Sequence, residues 1–153
     1  RYLQDAINEN RKLSHELVTP DLGMESLSVL LQRLLKSLLD AQGIETIFRH
    51  GDFEDEALTR EQQLTVYRIF QEQLTNIQKH AKATQVTITL DLLQDHIFRM
   101  RITDNGAGAS VSEENFGIGL RNISSRLRLL NGRLMVTTAP QKGFSLLVEF
   151  PVI

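Results

Sequence analysis

Apolar positions in this chain recur on two periods, and the changes from one to the other divide it into elements. Over Arg1 to Val18, Leu3, Ile7, Leu13 and Leu17 make a thin helical stripe. Thr19-Pro20-Asp21 interrupts it, because proline lacks the amide that continues the ladder and disfavours a helical residue before it. A second helix is predicted from about Leu22 to Gln42, where Leu27, Leu30, Leu31, Leu34, Leu35 and Leu38 give a broad apolar face and Gly43 a natural stop. Glu45 to Arg49 reads as a strand, and His50 to Leu58 as an acidic loop. Thr59, with Gln62 in the reciprocal position, predicts a capping box for a long helix reaching Ala81. Val66, Phe70, Leu74, Ile77 and Ala81 are its core stripe. Period-two alternation then predicts strands over Val86 to Leu90, Ile97 to Thr103, Arg133 to Thr138 and Phe144 to Phe150, with a helix from Leu120 to Leu130 between the second and third.

Several neighbouring strands have connections too short for a crossover helix, so part of the sheet must be antiparallel. The long helices then cover one face, which predicts an α+β two-layer sandwich with a mixed, mostly antiparallel sheet. At 153 residues and 41% hydrophobic, the chain is large enough for a core of its own. It has no cysteine, which excludes disulfides, thiol chemistry and cysteine-based zinc sites. A net charge of -2 gives no basic field for nucleic acid, and no apolar run is long enough to span a membrane. Arg1 opens in what reads as mid-helix without a cap, as in a piece of a longer protein.

Candidate chemistry sits where the strand Ile97 to Thr103 ends in Asp104-Asn105-Gly106-Ala107-Gly108. After a polar interval comes Gly117-Ile118-Gly119-Leu120, opening the next helix. Glycine lets a ligand approach the main chain, and a helix start offers free amides to phosphate. On the long helix, a count of about 100° per residue puts Glu72, Asn76 and Lys79 on one polar arc opposite the core stripe, with His80 at its edge. Asn76 and Glu72 have oxygens for Mg²⁺ or its waters, and Lys79 a charge for phosphate. Taken alone, these residues also fit a solvated helix face and two tight surface turns.

Three ordered motifs carry a resemblance. The stretch from Glu72 to Ala83 resembles the N box of bacterial two-component sensor histidine kinases. Asp104-Asn105-Gly106-Ala107-Gly108 resembles their first glycine box, and Gly117-Ile118-Gly119-Leu120-Arg121-Asn122 their second. Leu130-Asn131-Gly132-Arg133-Leu134 and Gly143, followed by a strand and Pro151, are similar to the end of the same domain. Together these cover about Ile44 to Val152, and Lys79-His80-Ala81 points to a subclass with a short lid. The resemblance implies the Bergerat ATP-binding fold over residues 21–153, after the tail of a dimerisation-hairpin helix over residues 1–20.

It further implies roles. Asn76 would ligate Mg²⁺, Glu72 would hold or polarise the metal shell, and Lys79 and His80 would lie near the phosphates. Asp104 would accept from the adenine amino group, with Gly106 and Gly108 giving the base its space. Gly117 and Gly119 would close on the phosphates, with Leu120 and Asn122 beside them, and Ala109 to Phe116 would be the lid. Gly143 stands for the last box, but Phe144 follows it where threonine is usual, adding bulk beside the pocket. His15, in Lys12-Leu13-Ser14-His15-Glu16-Leu17, resembles the tail of the second hairpin helix rather than the phosphoacceptor. The implied activity is transfer of the ATP γ-phosphoryl to a histidine on a hairpin before Arg1, in a cytoplasmic domain of a homodimeric kinase that serves a response regulator. Alone, the domain would turn ATP over very slowly. The alternatives are a degenerate, non-catalytic module of the same fold, and an ATPase or serine-directed kinase sharing it.

Overall fold

The first helix begins later than its leucines predict, and the reason is a cap. In the computed structural model, which describes residues 21–109 and 117–153, Asp21 closes a turn by accepting from the amides of Gly23, Met24 and Glu25. Ser26 then caps helix α1 (Leu27–Leu38), its hydroxyl accepting from the Val29 amide at 3.3 Å. Leu27, Leu30, Leu31 and Leu35 are buried as the pattern predicted. A short 3₁₀ turn, Asp40–Gln42, finishes the element, and Gly43 ends it at φ 77°. The predicted helix over Arg1 to Val18, its proline stop and His15 lie outside the described residues, as does the whole of the hairpin-tail assignment.

Thr59 and Gln62 form the predicted capping box: the Gln62 amide donates to Thr59 Oγ1 (3.1 Å), and the Thr59 amide to Gln62 Oε1 (2.9 Å). Helix α2 (Arg60–Asn76) follows, but the α-geometry stops five residues short of Ala81. Ile77–Ala81 is instead wound as a π-turn, ended by Lys82 at φ 51°. Helix α3 (Ile118–Arg128) starts two residues ahead of the expected Leu120.

The sheet has five strands: β1 (Glu45–His50), β2 (Gln85–Leu92), β3 (Ile97–Asp104), β4 (Arg133–Thr138) and β5 (Phe144–Pro151). Their order is β1-β2-β3-β5-β4; β1 runs parallel to β2 and the other pairs are antiparallel. The parallel pair is possible because α2 is the crossover between β1 and β2. Val86, Ile88 and Leu90 face the helices, as do Phe98, Met100 and Ile102, and Leu146, Val148 and Phe150; all are at most 1% exposed. Burying each such side chain is worth about 1.5–3 kcal/mol, so these rows dominate the stability. Helices on one face of a mixed sheet make the expected two-layer α+β sandwich. No described helix is long and apolar enough to cross a membrane.

Two loop expectations change. His50 is the last residue of β1 rather than a loop residue, and the acidic stretch after it contains a 3₁₀ turn, Asp55–Ala57. Asp55 is buried and ties three elements together. Its carboxylate accepts from the Ser28 amide (2.9 Å), the Ser28 hydroxyl and His50 Nε2 (2.9 Å), while its carbonyl accepts from Gln63 Nε2 (3.1 Å). Burial pushes the Asp55 carboxyl up, but the Ser28 amide, His50 and the Ser28 hydroxyl together hold it below its usual range. A folded-state pKa below the unfolded one gives stability that is present above the unfolded value and lost as pH falls through the folded one. Asp55→Ala is expected to cost about 1–3 kcal/mol at neutral pH, because it strands the Ser28 amide. Urea melts at neutral and at acidic pH check this: the gap between wild type and variant should close on the acid side.

Candidate functional site

Alternation along β3 puts Phe98, Met100, Ile102 and then Asp104 on the face that meets the helices. An acid thereby occupies an inward position, and Asp104 is only 4% exposed. The Gly106 amide donates to its Oδ1 at 2.8 Å. Burial raises the Asp104 carboxyl above its usual range, and the Gly106 amide pulls it part of the way back. In register, Asp104 lies opposite Val86 on β2 and Phe144 on β5. Phe144, the departure from the expected threonine, is half-buried and packs against the core while lining the cleft above Asp104.

That cleft has a volume of about 160 Å³ and is walled by Gln73, Asn76, Ile77 and His80 on one side, with Leu120 and Phe144 opposite. It is smaller than the several hundred Å³ of a pocket that encloses a whole drug-sized ligand. Its size suits a small, mostly apolar group. The floor residue Asp104 is the acid among the lining residues.

The loop after β3 is held in place by backbone contacts. The Ala107 amide donates to the Ala81 carbonyl at 2.7 Å, and the Gly143 amide to the Gly106 carbonyl at 3.1 Å. A Cβ on Gly106 would lie 2.1 Å from the Ala81 carbonyl oxygen, so only glycine fits there. Gly108 and Gly143 take φ of 64° and 73°, packed against the Ala139 and Asp104 carbonyls. Asn105 closes the other side: its Oδ1 accepts from the Thr84 and Gln85 amides (2.9 and 3.0 Å), and its Nδ2 donates to Thr84 Oγ1 (2.8 Å). Nothing in the local sequence pattern marks Asn105 for this part.

Two polar residues of the predicted arc meet at the start of α3. A Cβ on Gly119 would come within 2.6 Å of Glu72 Oε1 and 3.3 Å of Asn76 Oδ1. The Asn76 amide nitrogen donates to Gln73 Oε1 (3.4 Å), and its oxygen accepts nothing among the described residues. Lys79 is exposed and stands apart from the cleft lining, whereas His80 is part of it. The π-turn explains this. Its i→i+5 closure advances less than 100° per residue, so Lys79 falls further short of a full turn from Asn76. His80, four residues on, stays near Asn76's bearing. Gly117 and Asn122 are exposed at the start of α3 and do not line the cleft. Gln73 went unnoticed in the sequence, although Gln73, Asn76, Ile77 and His80 have the i, i+3, i+4, i+7 spacing of one helix face. The lid expected over Ala109 to Phe116 lies, after Ala109, outside the described residues.

The family model for histidine kinase-, DNA gyrase B- and HSP90-like ATPases matches residues 61–153. This chain belongs to that family. The sensor histidine kinase MctS of Rhizobium johnstonii is 33% identical over 97% of the chain, and ComP of Bacillus subtilis 33% identical over 96%. The chain spans 32% and 19% of their lengths. Among solved structures, the Acinetobacter baumannii histidine kinase AdeS superposes with a TM-score of 0.71 over 98% of this chain and 83% of its own, at 14% identity. At that identity the likeness supports the fold, and the mixed sheet with helices on one face is that of the family.

Glycines in this ATPase-family domain therefore differ in what they do. Gly106→Ala drives a methyl into backbone and is expected to destabilise by about 1–3 kcal/mol. Gly119→Ala meets only side-chain ends, so its melting temperature should stay near wild type while the Asn76 side-chain amide resonances shift. Thermal melts and ¹H–¹⁵N spectra of the two variants distinguish these outcomes.

Proposed function

We propose that the cleft takes the adenine of ATP, and that the domain presents the triphosphate for transfer of its γ-phosphoryl to a histidine on a segment outside the described residues. One observation carries this reading most: a buried carboxylate, Asp104, lines a mostly apolar cleft, and Glu72 and Asn76 converge on the start of a helix beside it. The sensor histidine kinases MctS and ComP, similar over almost the entire chain, support the acceptor type. Lys79-His80-Ala81 supports the subclass with that signature.

On this reading Asp104 accepts from the exocyclic amine of adenine, while Ile77, Leu120 and Phe144 exclude water from the ring faces. Guanine offers an oxygen at the same place, which a carboxylate repels. Gly106 and Gly108 let the loop come up to Ala81 and Ala139, and Gly108 also lines the cleft beside the base. The amides opening α3, around Gly117 and Gly119, provide donors for phosphate oxygens, with Asn122 one turn on. His80 lines the path between base and phosphates, and Lys79 contributes charge from outside the cleft.

Glu72 and Asn76 fit Mg²⁺, since their oxygens converge on one spot and this ion keeps several waters and phosphate oxygens in its shell. When bound, Mg²⁺ neutralises charge on the phosphates. The chain's own part is orientation: the base is fixed at Asp104, and the γ-phosphorus is left facing outward. An acceptor imidazole nitrogen then bonds to phosphorus as the bond to the ADP oxygen breaks, ADP keeping the electron pair. Catalysis is mainly positioning, so without the acceptor segment the domain binds ATP and turns it over very slowly. A homodimeric whole protein and a response regulator as the next acceptor belong to the same proposal.

A titration with a non-hydrolysable ATP analogue and Mg²⁺ tests the reading directly, and absence of saturable binding up to about 1 mM overturns it. Asp104→Asn should narrow the preference for ATP over GTP, and Asp104→Ala should weaken ATP binding by about 1–3 kcal/mol. Because burial raises the Asp104 carboxyl, ATP affinity should also decline as pH falls through that raised value, while this group's cost to the free fold is relieved. Competition binding across a pH series, with circular dichroism as the folding control, reads all of these.

Asn76→Ala is expected to bring affinity in Mg²⁺ down toward the metal-free value. Equal binding by wild type with and without Mg²⁺ would place Glu72 and Asn76 outside any metal site and favour a non-catalytic module.

A further inference from the structure

A second groove, of about 560 Å³, runs between α3 and β4. Arg121, Ser124, Ser125 and Arg128 line one wall at i, i+3, i+4 and i+7, a single helix face, and Arg133 lines the other. Its charge is compensated only in part among the described residues. Glu149 lies 3.3 Å from the Arg133 guanidinium, but it is buried and shared with Arg99 at 3.2 Å. Arg121 and Arg128 have no carboxylate partner among the described residues. The sequence from 115 to 148 contains Arg121, Arg126, Arg128, Arg133 and Lys142 and no aspartate or glutamate, although the chain as a whole is acidic.

We propose that this groove docks an extended, acidic peptide segment of a partner protein. The spread of charge selects that class. Arg121 and Arg128 are seven residues apart on a helix, about 10.5 Å along its axis, a spread that a row of anionic groups occupies more fully than one phosphate. Carboxylates on one side of an extended chain recur about every 6.6 Å, so a few of them span the distance. Guanidinium groups pair with carboxylates in a two-pronged manner, and the Ser124 and Ser125 hydroxyls are neutral donors between the charged ends. A flat anionic surface would leave the concave floor between α3 and β4 unfilled. The groove is also separate from the nucleotide cleft. Leu120 faces the cleft and Arg121 the groove, so α3 has one on each flank.

Fluorescein-labelled hexaglutamate titrated into the 153-residue chain at low ionic strength, without nucleotide, provides the test, read as fluorescence anisotropy. Saturable binding is expected, weakened about tenfold by Arg128→Glu and less than about twofold by Arg126→Glu, which changes charge equally on the same helix but outside the groove. If Arg128→Glu fails to fold by circular dichroism, Arg128→Gln takes its place, with a smaller loss in the same order. Equal weakening by the Arg126 and Arg128 variants would reduce the effect to net charge and overturn the proposal. So would absence of saturable binding up to about 1 mM, displacement by millimolar inorganic phosphate, or tighter binding to phosphatidylserine vesicles than to the peptide. Because no nucleotide is present, a negative result leaves the ATP reading standing, and failure of that reading leaves this test intact.

Discussion

The hydrogen bond from the Ala107 amide to the Ala81 carbonyl, 2.7 Å long, holds the cleft together. It joins the end of the long helix to the loop that leaves the central strand, two elements that the sheet alone does not bring into contact. With Gly106 pressed on the same carbonyl, the loop cannot lift, and Asp104 is kept below it with one oxygen on the Gly106 amide. Asn105 and the Thr138 hydroxyl, which accepts from the Ala109 amide at 3.0 Å, fasten the two sides. The floor of the cleft is thus rigid before any ligand arrives, which lowers the ordering cost of binding.

Electrostatically the domain is divided by helix α3. On one flank, an isolated carboxylate lies under apolar walls, where low polarity strengthens any single hydrogen bond it makes. On the other, several guanidinium groups face solvent, where water and salt weaken each of them and only their number gives a net effect. On the proposed readings, one flank selects by the position of one donor and the other by the sign of charge. The two flanks part at the first turn of the helix, where Leu120 lines the cleft and Arg121 the groove.

Most of the fold could be read from periodicity. The strand alternation, the capping box at Thr59 and Gln62, and the Gly43 stop are local devices, and local devices are written in adjacent residues. What the sequence hid depended on distant partners. Ser26 outcompeted the leucine stripe as a helix start because Asp21 makes its own turn upstream. The π-turn had no visible signature: Ile77 to Ala81 continues the apolar pattern, so a count at 100° per residue ran on past Asn76 and drew Lys79 in with Glu72. Asp104 was recognised from its glycines, yet the stronger clue was its parity with Phe98, Met100 and Ile102, an acid in a core-facing row. The glycines were read as room for a ligand. Gly106, Gly108 and Gly143 also make room for neighbouring backbone, which no spacing in one dimension reveals.

The π-turn also makes the depth of the cleft a matter of chain length. A stretch closed i→i+5 holds one residue more than an α-helix closed i→i+4 over the same bonds. Removing one residue from α2 ahead of Asn76, where no π-turn absorbs it, would turn everything beyond it by about 100°. The Ala81 carbonyl would then point away from Ala107, and the wall formed by Asn76 and His80 would lose its register with Asp104. A change of chain length ahead of Asn76 therefore moves the whole wall at once, whereas one within the π-turn is absorbed there.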